Sequence, residues 1–249
     1  MEPRRLRDRR EAGRLLAEQL RGYAGREEVV VLALPRGGVP VACEISEALG
    51  APLDVFLVRK LGVPGHEELA LGAIATGGIR VVNRQLVDAL RMTTDQIEAV
   101  AARELPELER RERLYRGDRP PPDVCGKTVV LVDDGLATGS SMSAAVLAVR
   151  QDDPAKVVVA VPVADPDVCE GFRGEADEVV CLMTPKLLRS VGSWYEDFDQ
   201  TSDEEVRELL SKARSPPARR LPEAIVPMTG APADYDPVLA RARDADASC

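Results

Sequence analysis

Two adjacent carboxylates, Asp133 and Asp134, follow the apolar run VVLV and precede the short string GLATGSS. Acids placed directly after a buried strand cost free energy unless something uses them. The loop Gly135–Ser141 can turn its amides inward as an anion nest. A helix beginning there adds the positive end of its dipole. Thr138, Ser140 and Ser141 supply hydroxyls, and Gly139 lets the backbone turn. The pattern describes a pocket with two carboxylates on one side and a monophosphate cradle on the other. A sugar phosphate fits it, its hydroxyls donating to the acids and its phosphate seated in the nest. The plainer reading is a helix N-cap beside solvated acids. The string GxxxxGK[ST] is absent, and so is a GxGxxG after a strand, so neither a triphosphate P-loop nor a dinucleotide site is supported.

The surrounding pattern predicts the elements that must hold this loop. An amphipathic helix is expected over residues 4–22, with Leu6, Leu15, Leu16 and Leu20 as its apolar stripe. EEVVVLALP (27–35) and LDVFLVRK (53–60) read as buried parallel strands, separated by a Gly-rich turn and a helix ending at Gly50. Residues 62–83 read as a flexible loop and a hairpin. Residues 84–116 read as charged helix, capped near Thr94 and broken or kinked at Pro106. Three more strands (127–134, 156–164, 177–183) alternate with helices over 140–150 and 165–174, and a last helix spans 202–213. The alternation predicts an α/β fold, an open and mostly parallel sheet flanked by helices. Such sheets bind ligands at the carboxyl ends of their strands. The domain is expected over 1–213, with a helical insertion at 84–123. Residues 214–249, rich in Pro, Ala and Asp, read as a weakly structured tail with one docking segment around Ile225 and Val226.

Composition removes several function classes. The 249 residues carry a net charge of −9, which argues against binding nucleic acid. No apolar run is long enough to span a bilayer, and residues 1–16 lack the apolar core of a secretory leader. The five cysteines are widely spaced with no CxxC pair and are expected to be reduced, in a cytoplasmic protein. The single histidine, His66, is expected in a solvated loop, which excludes a histidine-rich zinc site.

VVLVDDGLATGSS resembles the ribose-phosphate signature of the type I phosphoribosyltransferases, which bind phosphoribosyl pyrophosphate (PRPP). The resemblance covers residues 25–213 in element order. It implies a flexible loop over the site, here the Gly-containing stretch 62–78, and a small hood. It implies that PRGGV grips pyrophosphate through Arg36, with Gly37 and Gly38 allowing close backbone approach and Arg36–Gly37 as the candidate cis bond. It implies that Arg59 and Lys60 also face pyrophosphate; the plainer reading of two cations ending an apolar strand is that they snorkel to the surface. By the same resemblance Asp133 and Asp134 hold the ribose hydroxyls and help place a Mg²⁺ ion, and Thr138 to Ser141 fix the 5′-phosphate. Trp194, Tyr195 and Phe198, three of the eight aromatic residues, read either as a base-stacking hood or as an apolar staple between the last helix and the sheet. Enzymes acting on 6-oxopurines carry a third acid where this chain has Ala137, so the implied acceptor is adenine, a pyrimidine or a non-nucleobase amine. The expected reaction is displacement of pyrophosphate from C1 of PRPP by a nitrogen nucleophile, through an oxocarbenium-like transition state. A PRPP-sensing regulator of the same fold and a sugar-phosphate hydrolase are the alternatives. The sequence leaves a homodimer open.

Overall fold

Strands β1 (Val29–Ala33), β2 (Leu53–Val55), β6 (Thr128–Val132), β7 (Lys156–Val163) and β8 (Glu178–Met183) form a parallel sheet in the order β2-β1-β6-β7-β8. The computed structural model describes residues 5–214, without the side chains of Glu67, Glu68, Ala70 and Arg214. The expected tail and its docking segment, apart from Arg214 at the end of the last helix, lie outside those residues.

The runs are apolar on both faces because both faces are covered. Val29, Val31, Ala33, Val130 and Val132 share one core with Leu16 and Leu20 and with Ile45 and Leu49. These belong to α1 (Arg9–Gln19), its C-terminal cap and α2 (Gly38–Leu49), and α7 (Asp203–Arg214) adds Val206 and Leu210. The alternate residues Val30, Leu32, Val129 and Leu131 face Met142, Val146 and Val149 of α5 (Ser140–Val149) and Phe172, just after α6 (Pro166–Gly171). Period-two alternation thus divides one sheet between two cores. Helix α2 stops at Gly50, whose φ of 66° is the left-handed cap that glycine adopts without penalty.

The run LDVFLVRK does not form one strand. Its ladder with β1 ends at Ala33↔Val55, because Pro35 closes β1 and leaves no further partner. The chain then leaves the main sheet. β3 (Val58–Val63) pairs antiparallel with β4 (His66–Ala75), and β4 pairs with β5 (Arg80–Val82). Residues 62–83 are therefore mostly a second, three-stranded sheet, and His66 opens β4 as an exposed strand residue rather than a loop residue. Beyond it lie α3 (Arg84–Leu90) and α4 (Thr94–Arg116). Helix α4 starts with a capping box between Thr93 and Gln96 and runs unbroken past Pro106. Burial of Val100, Ala101, Leu108 and Tyr115 holds both sides of the proline in one helix.

The chain turns back at the junction of β1 and β6: α2 carries it outward to β2 on one side, and α5 to β7 on the other. Loops leaving the carboxyl ends of two such strands diverge and open a crevice. Here those loops are Pro35–Gly38 and Asp133–Gly139.

Candidate active site

The two loops touch through a glycine. A Cβ on Gly37 would lie 1.9 Å from the Asp134 Oδ2, so only glycine lets the backbone lie against that carboxylate. The cis peptide bond of this loop is Pro35–Arg36, one bond earlier than expected. On the far side, Leu136 pins the acidic loop to the end of β7: its amide donates to Val163 O at 2.8 Å and its carbonyl accepts from the Asp165 amide at 3.1 Å. Gly139 caps α5 with φ 71° and packs against Phe172 and Val168. Ala137, Thr138, Ser140 and Ser141 are exposed around the start of α5. The Thr138 and Ser140 hydroxyls lie 3.2 Å apart.

The two acids differ in setting. Asp133 Oδ1 accepts the Asp134 amide at 2.8 Å. Burial, and then the charge of Asp134, push its carboxyl well above the usual carboxylate range. Burial also raises Asp134, against the pull of Arg9. Arg9 of α1 donates from Nε to Asp134 Oδ2 at 2.8 Å and from its terminal nitrogen to Asp199 O at 2.7 Å. Its guanidinium carbon sits 3.9 Å from the centroid of Phe198.

The aromatic segment supports the acids from beneath. Tyr195 is 3% exposed and donates its hydroxyl to the Asp134 carbonyl at 2.7 Å. Burial removes it as a stacking surface for a base. Half-buried Trp194 packs in the same small apolar cluster as Leu6 and Val163, and its carbonyl accepts the Leu6 amide at 2.9 Å. The staple thus joins the N-terminal segment to the acidic loop, not the last helix to the sheet.

The cations expected around pyrophosphate divide. Arg36 sits beside the cleft, 3.9 Å from Asp203. Arg59 donates from Nε to Glu104 of α4 at 2.8 Å. Lys60, the next residue of the same strand, is exposed and points to the opposite face. The alternation of side chains along one strand is what separates the pair. A cavity of about 80 Å³ brings together Leu34, Phe56, Arg59, Arg111, Asp133 and Ser141. Arg9 and Arg111 are the residues sequence reasoning missed.

A family model described as the phosphoribosyl transferase domain matches residues 6–181. The chain belongs to the phosphoribosyl transferase domain family. Proteins from two strains of Mycobacterium tuberculosis, each described as a candidate phosphoribosyl transferase, are 48% identical over 206 residues, 83% of this chain. The chain spans 46% of the length of those curated relatives. The bifunctional protein PyrR of Chloroflexus aurantiacus is 34% identical over 142 residues, covering 55% of this chain and 72% of its own. The crystal structure of TT1426 from Thermus thermophilus, 49% identical, superposes with a TM-score of 0.75 over 84% of this chain and 98% of that one. The parallel five-stranded sheet with flanking helices is the type I phosphoribosyltransferase fold. Among the described residues no helix is long and apolar enough to cross a membrane.

Proposed function

We propose that this phosphoribosyl transferase domain moves the 5-phosphoribosyl group of PRPP to a nitrogen acceptor and releases pyrophosphate. The observation that carries the reading is the meeting of Asp133, Ser141 and Arg59 on one cavity at the strand crossover, next to the Arg36–Gly38 loop. Asp133 and Asp134 accept the ribose hydroxyls. The amides and hydroxyls of residues 138–141, at the positive end of α5, take the 5′-phosphate. Arg36 and Arg59 neutralise charge on the leaving pyrophosphate. The protein's contribution is orientation and charge stabilisation while the C1–O bond breaks and the C1–N bond forms. The acceptor's proton leaves to solvent or to pyrophosphate.

The residues fit a Mg²⁺ ion carried in on the substrate. Among the described residues no cluster of three or more His, Cys, Asp or Glu converges, so those residues supply no cage of their own. One or two carboxylates plus substrate phosphates are the usual holders of Mg²⁺. Asp133, and Asp134 on the side Arg9 leaves open, would meet it through ribose hydroxyls or water. When bound, the ion supplies neutralisation of pyrophosphate oxygens.

Ala137 bears on the acceptor. Its side chain neither donates nor accepts a hydrogen bond, and sites built to bond a group discriminate more strongly than apolar ones. Hypoxanthine, guanine and xanthine are therefore expected to turn over poorly against adenine, a pyrimidine or a non-nucleobase amine. The test is pyrophosphate release from PRPP·Mg²⁺ across that panel. Robust turnover of guanine or hypoxanthine contradicts the use of Ala137. Tight PRPP binding without turnover of any acceptor replaces the transferase with a PRPP sensor.

A further inference from the structure

The helical insertion lies against the cleft, and one face of α4 meets Arg59 directly and Arg36 through Asp203. Glu104, Leu108, Arg111 and Tyr115 recur at spacings of four, three and four residues, which puts them on one side of a helix. Leu108 and Tyr115 are 0% and 3% exposed, so this is the face α4 turns to the core. Glu104 holds Arg59. The Tyr115 hydroxyl donates to Asp203 at 2.5 Å, and Asp203 is the acid beside Arg36. Arg111 lies between these two contacts and lines the same cavity as Arg59, Asp133 and Ser141.

We infer that Arg111 is a third pyrophosphate-binding arginine, supplied by the insertion, and that it completes the anion site with Arg36 and Arg59. The inference rests on the phosphoribosyl-transfer reading. Among the described residues each of the three arginines has one acidic partner: Asp203 for Arg36, Glu104 for Arg59 and Glu107 for Arg111. The Arg111 Nε lies 2.8 Å from Glu107, whose other partner is the neighbouring Arg110 at 2.7 Å. Glu107 therefore keeps a cation when Arg111 turns to a ligand. Arginine suits the task because its planar fork grips two phosphate oxygens at once. Lys60, the second cation that the resemblance placed at pyrophosphate, faces the other way.

Arg110 is the matched control. It shares Glu107 and the same helix, but its side chain is 56% exposed against 39% for Arg111, and it does not line the cavity. Calorimetric titrations of wild type, Arg111→Gln, Arg111→Lys and Arg110→Gln would use three probes: PRPP with Mg²⁺, pyrophosphate with Mg²⁺, and ribose 5-phosphate. For Arg111→Gln we expect at least a tenfold loss for PRPP and pyrophosphate and less than a twofold change for ribose 5-phosphate. Arg111→Lys recovers part of the loss, and Arg110→Gln, which leaves Glu107 to Arg111 alone, loses much less for PRPP and pyrophosphate than Arg111→Gln does. An Arg111→Gln protein that binds pyrophosphate normally overturns the role of Arg111 alone. Equal losses for ribose 5-phosphate and pyrophosphate also overturn it, since a general distortion would do that. A wild-type protein that binds no PRPP overturns the transferase reading and this inference together.

Discussion

Replacing Arg9 with Met removes the counter-ion of Asp134 while keeping a long apolar side chain over Phe198. In the native protein the two charged side chains are only 12% and 16% exposed, at 2.8 Å, so solvent screens the pair weakly. A hydrogen bond to a charged group contributes about 1.5–3 kcal/mol and guanidinium stacking about 0.5–1 kcal/mol. The bond to Asp199 O is lost as well, and methionine recovers part of the packing. A net loss of about 2–4 kcal/mol is expected, which lowers the Tm by roughly 5–12 °C in a domain of this size. The deficit is pH-dependent. Burial already raises the Asp134 carboxyl, and without Arg9 it rises further. A carboxyl raised in the fold destabilises when ionised and stops doing so once protonated. The gap between Arg9→Met and wild type therefore shrinks as pH falls through that raised value. Thermal melts across pH, with Arg9→Lys as the variant that keeps the charge, provide the assay. A Tm change below about 2 °C at neutral pH, or a gap that widens on acidification, would refute the reasoning.

Three further outcomes follow from the same cleft. Asp133→Asn keeps the bond to the Asp134 amide but removes a buried charge, so the variant melts above wild type at pH 8. Because the Asp133 carboxyl is raised, its stabilising contribution in wild type is present at low pH and lost as pH rises, so the gap between the two proteins closes on acidification. Gly37→Ala forces a methyl group onto the Asp134 carboxylate, costing about 1–3 kcal/mol of stability by overpacking. Its PRPP affinity falls at least tenfold in calorimetry, because that carboxylate is displaced. Cys43, whose thiol burial pushes up to about 12, reacts with iodoacetamide far more slowly at pH 8 than in urea, as a mass-spectrometric time course will read.

The acidic loop was legible because everything it needs is local. A strand, two acids, glycines and a serine-started helix are contiguous from Val129 to Ser141, and the structure keeps them contiguous. The strand order was also within reach, since alternating apolar runs and helices leave few arrangements. LDVFLVRK was read as one strand because its apolar residues continue past Val55, and only the end of its ladder with β1 tells where one strand becomes two. Lys60 was misplaced because it was paired with Arg59, although neighbouring residues of a strand point to opposite faces. Tyr195 stayed open between hood and staple because aromatic residues near a site stack on ligands or support loops, and composition does not say which. Arg9 meets Asp134 across 125 positions of sequence, and its own helix offers several arginines. Arg111 had a local signal. Leu108 and Tyr115 mark its side of α4 as the buried one, in a stretch where the many charges hide the stripe.

The claim that the Asp133–Ser141 loop is a PRPP site is tested most directly by calorimetric titration of PRPP with Mg²⁺ into wild type and into the Asp133→Asn, Asp134→Asn double variant. Asn preserves the shape and the backbone contacts and removes both charges. The account predicts saturable binding to wild type and a loss of about 2 kcal/mol or more in the double variant, as expected for charge-assisted hydrogen bonds to ribose. Folding is checked in the same samples by circular dichroism. Unchanged affinity in a folded double variant would contradict the account.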